Sequence, residues 1–412
     1  MRTTLANISV LLISSFFMLI GTGLLSTLIP LQADLATFSS IEVGVIGAAQ
    51  FTGFAVGCLI CPLVVRRSGH IRAFAAFCAI AACATLIMPM LINPVVWSIL
   101  RAINGICMAG LFMVIESWLN ERSENEYRGR VFSIYQMVIL AGSVGGQQLL
   151  GLGKVGGYEL FTIAAIMLII ALVPTAMTRS IAPTPLESVK PRLLWVYKIS
   201  PLALTGCTLV GFANGSLWSL APIYASQSGL SFVEVGWFMT AVIGGGAITQ
   251  FPIGRLSDQF DRRVVLLGVT IAAGLTGLAL ALVPEPSLIA LLVLAGCYGG
   301  FSLTLYSLCA AHINDFVEPE DFVHVTSALL LTFGLGAIAG PIVASIVIEM
   351  SSYNGLFFTT AATHATIAGY TIYRLARKPR EKPDDFEPFV VSMPKQSPIV
   401  SSLDPRIEES QD

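Results

Sequence analysis

Charge is what this chain has least of. Of its 412 residues only 12% are Asp, Glu, Lys or Arg, while 55% are hydrophobic; a soluble globular chain carries about 25% charged residues. The deficit excludes the two or three soluble domains that the length alone would suggest, and points to a polytopic membrane protein. The net charge is −2 and no basic block occurs, which excludes a nucleic-acid partner. The chain has no Gly-x-x-x-x-Gly-Lys-Ser/Thr loop to cradle a nucleotide, so ATP-driven transport is not expected. Its four histidines (His70, His312, His324 and His364) are scattered without metal spacing, and no nucleophile elbow is present. The sequence therefore offers no enzyme centre, metal site or cofactor site. Cys58 and Cys61 form a lone C-x-x-C with no second pair or histidine nearby, and read as small helix-packing residues.

What is abundant is long apolar runs. Twelve of them, near 8–31, 42–64, 73–92, 96–118, 131–151, 159–177, 202–224, 233–253, 264–283, 287–311, 325–348 and 355–373, have the length needed to cross about 30 Å of hydrocarbon. The first resembles a signal peptide but has no A-x-A cleavage site, and is read as a span. Linkers alternate in charge. The N-terminus, the linkers 65–72, 119–130, 178–201 and 254–263, and the C-terminal tail hold nearly every Lys and Arg; the opposite linkers hold only Lys154. The positive-inside rule then puts both termini in the cytoplasm and makes the span number even. Residues 178–201, with Pro183, Pro185 and Pro191, read as a cytoplasmic linker between halves at 1–177 and 202–376. The Pro- and charge-rich tail, 377–412, reads as disordered or peripheral.

The two halves repeat. Gly23, Leu25, Leu28 and Pro30 correspond to Gly215, Leu217, Leu220 and Pro222, 192 positions on; later the offset becomes 194, so that Gly142 and Gly146 meet Gly336 and Gly340. Parallel six-span repeats are a transporter architecture. Ser39-x-x-Glu42 and Ser231-x-x-Glu234 have capping-box spacing, which discounts both glutamates as coupling groups. The paired glycines are small-xxx-small faces for close helix approach.

Gly254-Arg-Leu-Ser-Asp258-Gln-Phe-Asp261-Arg262-Arg263 resembles the loop signature of the major facilitator superfamily, in the place where that family keeps its second copy, and Arg101-x-x-x-Gly105 resembles a second motif of the family. The resemblance covers about residues 5–376. It implies an all-α membrane protein of about twelve transmembrane helices in two six-helix halves, acting as a monomer in a bacterial inner (plasma) membrane. The implied function is secondary active transport of a small molecule by alternating access, with proton-coupled efflux as one mode; uptake by symport or uniport, or a transporter-derived sensor, are the alternatives. Two departures stand out: Arg66 occupies the acidic position of the first-half loop, and the fifth span lacks the Gly-Pro pair that the family associates with antiport, while Gly340-Pro341 sits in the eleventh.

Charges inside spans are costly and mark pathways by default. Arg101 and Glu116 lie on the fourth span, 15 positions apart, or about 22 Å along a helix, too far to pair. Their repeat counterparts are Ala295 and Ala310, so the fold itself does not require either charge. Arg101 is expected to couple binding to the conformational switch, with Gln147 and Gln148 as hydrogen-bond partners. Glu116 is expected either to be a proton site or to reach the interface beside Arg122 or Arg130. Asn104, Gln136, Asn214, Trp218, Tyr298 and Tyr306 are candidates to line the cavity, which favours a neutral, amphipathic or weakly cationic substrate.

The cytoplasmic loops carry opposite charge patterns. Arg66 and Arg67 lie in a loop without acids, and Asp315, Glu318, Glu320 and Asp321 in one without Lys or Arg; Asp258 and Asp261 are expected to face Arg128 and Arg130. Such pairs would latch the cytoplasmic side. Exposed pairs are worth about 0–1 kcal/mol each, yet several together can bias two states. Reversing Arg66 and Arg67 to Glu is expected to impair transport and a second reversal, Glu318 and Glu320 to Lys, to restore it; absence of rescue in a flux assay removes the pairing.

Overall fold

Hydrocarbon offers no partner for a backbone N–H or C=O, so a spanning chain must satisfy them within each segment, as a helix does. In a computed structural model, which describes residues 2–123, 128–177, 191–284, 287–318, 321–377, 388–394 and 396–397 (backbone alone at 2–7 and 128), regular structure among the described residues is entirely helical. The elements are α1 (Arg2–Leu35), α2 (Ser40–Ser68), α3 (His70–Ile87), α4 (Pro94–Arg122), α5 (Arg128–Gln148), α6 (Glu159–Met177), the short α7 (Leu193–Ile199), α8 (Pro201–Gln227), α9 (Phe232–Gln259), α10 (Arg262–Leu282), α11 (Leu288–Asn314), α12 (Phe322–Met350) and α13 (Gly355–Arg377). The twelve long helices stand where the twelve apolar runs are read. Nine of them are long and apolar enough to span by length and composition, and α7 with α8, bent by 115°, makes a tenth. That bend is at Ser200, whose Oγ accepts from Ala203 N at 3.1 Å, followed by Pro201 at the first helical position. The two remaining long helices, α5 and α13, are the ones that carry Gln136, Gln147 and His364.

Local signals set the helix starts. Ser39 N donates to Glu42 Oε2 at 2.8 Å and Glu42 N to Ser39 Oγ at 3.2 Å; Ser231 and Glu234 make the same reciprocal pair, at 2.8 and 3.4 Å. Both glutamates are thus engaged as caps.

The helices group into two compact units: residues 1–37, 49–189 and 395–412 in one, 38–48 and 190–394 in the other. This differs from halves ending at 177 and beginning at 202, because the start of α2 groups with the second unit. There Gly44 lies against Pro341 and Ser345 and Gly47 against Ser219, and Ser40 N donates to Glu349 Oε2 at 3.1 Å.

Within the first unit α1 packs on α5 and α6, and α3 on α4 and α6; within the second α8 packs on α12 and α13, α9 on α11, and α10 on α11 and α13. The contacts repeat at the offsets of the sequence. Gly142 and Gly146 of α5 rest on α1 at Phe16 and Ile20, and Gly336 and Gly340 of α12 rest on α8 at Thr208 and Phe212. Gly53 abuts Ala102 on α4, as Gly245 abuts Gly296 on α11. At these points a Cβ would collide with backbone, or at Gly142 with the Leu19 Cβ, so glycine is what lets the axes approach this closely.

The tail departs from expectation. Residues 388–394 and 396–397 are in place against the helices, with Gln396 and Ser397 fully buried, so a disordered or peripheral tail does not describe this stretch. In the second unit Ser307 Oγ donates to Ser392 O at 2.7 Å, Ser392 N returns a bond to Ser307 Oγ at 3.2 Å, and the Phe389 ring covers Gly254.

Candidate functional site

In the first unit, α4 and α5 converge on one carboxylate. Glu116 is fully buried, with 0% of its surface exposed. Its Oε1 accepts from Tyr135 Oη on α5 at 3.2 Å, and its Oε2 accepts from Ser397 N at 2.8 Å and from Ser397 Oγ. Beside these contacts the carboxamides of Gln136 and Gln396 exchange bonds, Gln136 Nε2 to Gln396 Oε1 at 3.3 Å and Gln396 Nε2 to Gln136 Oε1 at 3.0 Å. Glu116 therefore does not reach an interfacial arginine. Satisfying its lone pairs inside the protein replaces the hydration that snorkelling would have supplied.

Arg101, on the same helix, is half-buried, and its buried Nε has no hydrogen-bond partner among the described residues. The expected link to Gln147 is absent. Gln147 instead joins α5 to α1, accepting from Thr27 Oγ1 at 2.6 Å and donating to Gly23 O at 2.9 Å, so it fastens the glycine-lined seam. Asn104 is buried on α4. Cys61 Sγ donates to Ile106 O at 3.5 Å, a helix-packing role.

The second unit holds a separate polar chain. Ser302 Oγ donates to Asn214 Oδ1 at 3.0 Å and lies 3.3 Å from His364 Nε2, while His364 Nδ1 lies 2.7 Å from Thr360 O. A carbonyl oxygen can only accept, so Nδ1 carries the proton. Tyr298 stacks edge-on against Phe357 and His364, and Tyr306 against Phe333. Both tyrosines are fully buried, and Trp218 is half-buried on α8.

The signature loop of the second unit turns on Arg262, which is fully buried. Its Nε donates to Asp315 Oδ2 at 2.6 Å, and its Nη1 donates to Ser257 Oγ at 3.1 Å and lies 3.2 Å from Asp258 Oδ1. Asp261 caps α10, accepting from Arg263 N at 3.0 Å and pairing with the Arg263 guanidinium at 2.7 Å. Asp321 lies 3.7 Å from Arg192. Four of the acids expected to serve the latch thus have cations of their own unit beside them. Arg66, Arg67, Arg130 and Glu318 are exposed; Glu320 and the Arg128 side chain lie outside the described residues.

Sequence reasoning missed Tyr135, Ser302, His364, Gln396 and Ser397. Tyr135 could have been found as the neighbour of Gln136 on α5, whereas nothing local marks Ser397.

Two six-helix groups repeating the same glycine contacts, with isolated polar centres inside them, define a duplicated polytopic transporter. The family model of the Major Facilitator Superfamily matches residues 11–233 and 203–403, and the chain belongs to that family. It is 28% identical over 371 residues to the uncharacterized MFS-type transporter YE1530 of Yersinia enterocolitica, covering 89% of this chain and 94% of the relative. It is likewise 28% identical to the uncharacterized MFS-type transporter YcaD of Salmonella newport, over 88% of this chain and 94% of that one. Among solved structures, the nucleoside transporter NupG superposes with a TM-score of 0.72 at 14% identity, covering 90% of this chain and 99% of that one. A bacterial homolog of the human lysosomal transporter Spinster, inward-facing and occupied, superposes at 0.73 with 16% identity, covering 91% and 98%. These likenesses establish the fold. The chain is a multi-pass membrane transporter that handles a small molecule.

Removing Asp315 takes from the buried Arg262 guanidinium the acid at its Nε, while Asp258 stays beside Nη1. Asp315→Ala is therefore expected to destabilise the protein by about 1–3 kcal/mol, the cost of a buried donor left unsatisfied, read as a lowered thermal midpoint in detergent, whereas the exposed Glu318→Ala should leave the midpoint unchanged.

Proposed function

We propose that the chain is a proton-coupled secondary transporter of a small, neutral or weakly cationic, hydrogen-bonding molecule, working by alternating access as a monomer in the bacterial inner membrane with both termini cytoplasmic. One observation carries the coupling: a fully buried carboxylate, Glu116, whose partners among the described residues, Tyr135 and Ser397, are neutral donors. A proton gained by such a group turns an acceptor oxygen into a donor, and so changes which neighbours it can hold. That is what a coupling site requires: occupancy by a proton and occupancy by a ligand compete for the same oxygens. The absence of a charge at the repeat counterpart, Ala310, supports a role for Glu116 beyond folding.

Arg101 is the second element of the reading. Its Nε, without a hydrogen-bond partner among the described residues, is a donor inside the membrane region suited to engage a substrate or to exchange partners during the switch. The lining candidates are neutral amides and aromatics, which suits a neutral or weakly cationic cargo better than a polyanion, since phosphate-type cargo calls for several Arg or Lys.

The test is flux in proteoliposomes, using a substrate found by counterflow screening. Glu116→Gln is expected to abolish the acceleration caused by an imposed pH gradient and, because the ligand loses an acceptor oxygen, to raise the apparent KM of gradient-independent counterflow. Arg101→Ala should reduce both the acceleration and the counterflow. A Glu116→Gln protein that responds to the gradient like the parent overturns the coupling role.

A further inference from the structure

We propose that Glu116, Tyr135 and Gln136 form a recognition site for vicinal amido-alcohols carrying a carboxamide arm, and that the chain's own Gln396–Ser397 occupies this site as a built-in competing ligand. The inference rests on the reading of Glu116 as part of the transport site.

The contact is a matched set of groups. One residue, Ser397, presents two donors on adjacent carbons, its backbone N–H and its hydroxyl, and both go to the same oxygen, Glu116 Oε2. The other oxygen, Oε1, takes the Tyr135 hydroxyl. The carboxamide of Gln396 pairs reciprocally with that of Gln136, so each supplies one donor and one acceptor to the other. All five residues are buried, Glu116, Tyr135, Gln396 and Ser397 at 0% exposure and Gln136 at 6%. Hydrogen bonds to a charged group are stronger than neutral ones, and a buried carboxylate left short of donors is costly. Any molecule that displaces the tail must therefore replace both donors of Ser397. An N-acylated 2-amino alcohol does so, and a simple amide does not.

The rest of the tail supports occupancy by this segment rather than by chance contact. Ser392 is held separately, in the second unit, by two bonds with Ser307, which also accepts from Gln250 Nε2 at 3.0 Å. An anchored segment presents its ligand at an effective concentration on the order of millimolar, so a free solute must exceed that value or bind better.

Hydrogen–deuterium exchange on the full chain in lipid nanodiscs reads the Ser397 N–H bond itself. The amides of Gln396 and Ser397 are expected to be protected in the parent and to exchange about tenfold faster or more in Glu116→Ala, with the helices unaffected. Ser397→Leu, which removes the hydroxyl and overfills the buried site, should expose the Gln396 amide in the same way. Added N-acetyl-glutaminyl-serinamide at tens of millimolar, above the roughly millimolar effective concentration, should expose the segment, and N-acetyl-glutaminyl-alaninamide, lacking the hydroxyl, should not. Unprotected amides in the parent, or protection unchanged in both variants, overturn the tail's occupancy; equal displacement by the two dipeptides, or displacement by neither, overturns the ligand class. None of these readouts requires flux, so a failed coupling assay with intact exchange results would remove the proposed function and leave the site standing.

Discussion

Every backbone polar group within a span has to find its partner in the chain, because the hydrocarbon supplies none. The helices meet that demand for the backbone. Side chains meet it locally or across a helix seam. Ser15, Thr85 and Thr332 return their hydroxyls to carbonyls four residues back on their own helices, and Ser14 with Thr175, Thr249 with Gly300 and Tyr224 with Leu280 join one helix to another. The same constraint decides the conduct of Glu116. A carboxylate has about four lone-pair sites to satisfy, and the structure engages it with a phenol from α5 and with an amide and a hydroxyl from the tail. A carboxylate whose donors come partly from a segment 281 positions away depends on that segment's placement.

Duplication supplies the frame on which such exceptions stand. Glycine seams at α1–α5 and α8–α12 use corresponding residues against corresponding backbone, and the α2–α4 and α9–α11 contacts do the same. Symmetry of this kind shows what the fold needs. Features without a counterpart then become informative: Glu116 faces Ala310 in the alignment, and Arg101 faces Ala295. The asymmetry extends to the helix ends, where buried Arg262 gathers Asp315 and Asp258 in the second unit while the last turn of α2 places Arg66 and Arg67 in the open.

Much of this was legible in the sequence because it depends on short-range or periodic signals. Apolar runs located the long helices; Ser-x-x-Glu spacing located two capping boxes; glycines four apart located the close seams. What failed to read through depends on partners far along the chain. Gln147 looks like a neighbour of Arg101 by depth alone, yet its partners are 120 and 124 positions away on α1. Asp315 looks like a free loop charge, but its cation comes from the start of α10. The tail was opaque for a related reason: a Pro- and charge-rich composition describes what a segment cannot bury on its own, and Ser397 is buried because Glu116, 281 positions earlier, offers it an acceptor.

On the proposal above, this transporter carries its own competing ligand for the carboxylate it uses. Proton-gradient-driven flux by the full chain should be compared in proteoliposomes with flux by a chain ending at residue 387. The shortened protein is expected still to transport, with a lower apparent KM because substrate no longer has to displace Gln396 and Ser397. Loss of flux on shortening, or a KM that does not change, would contradict it.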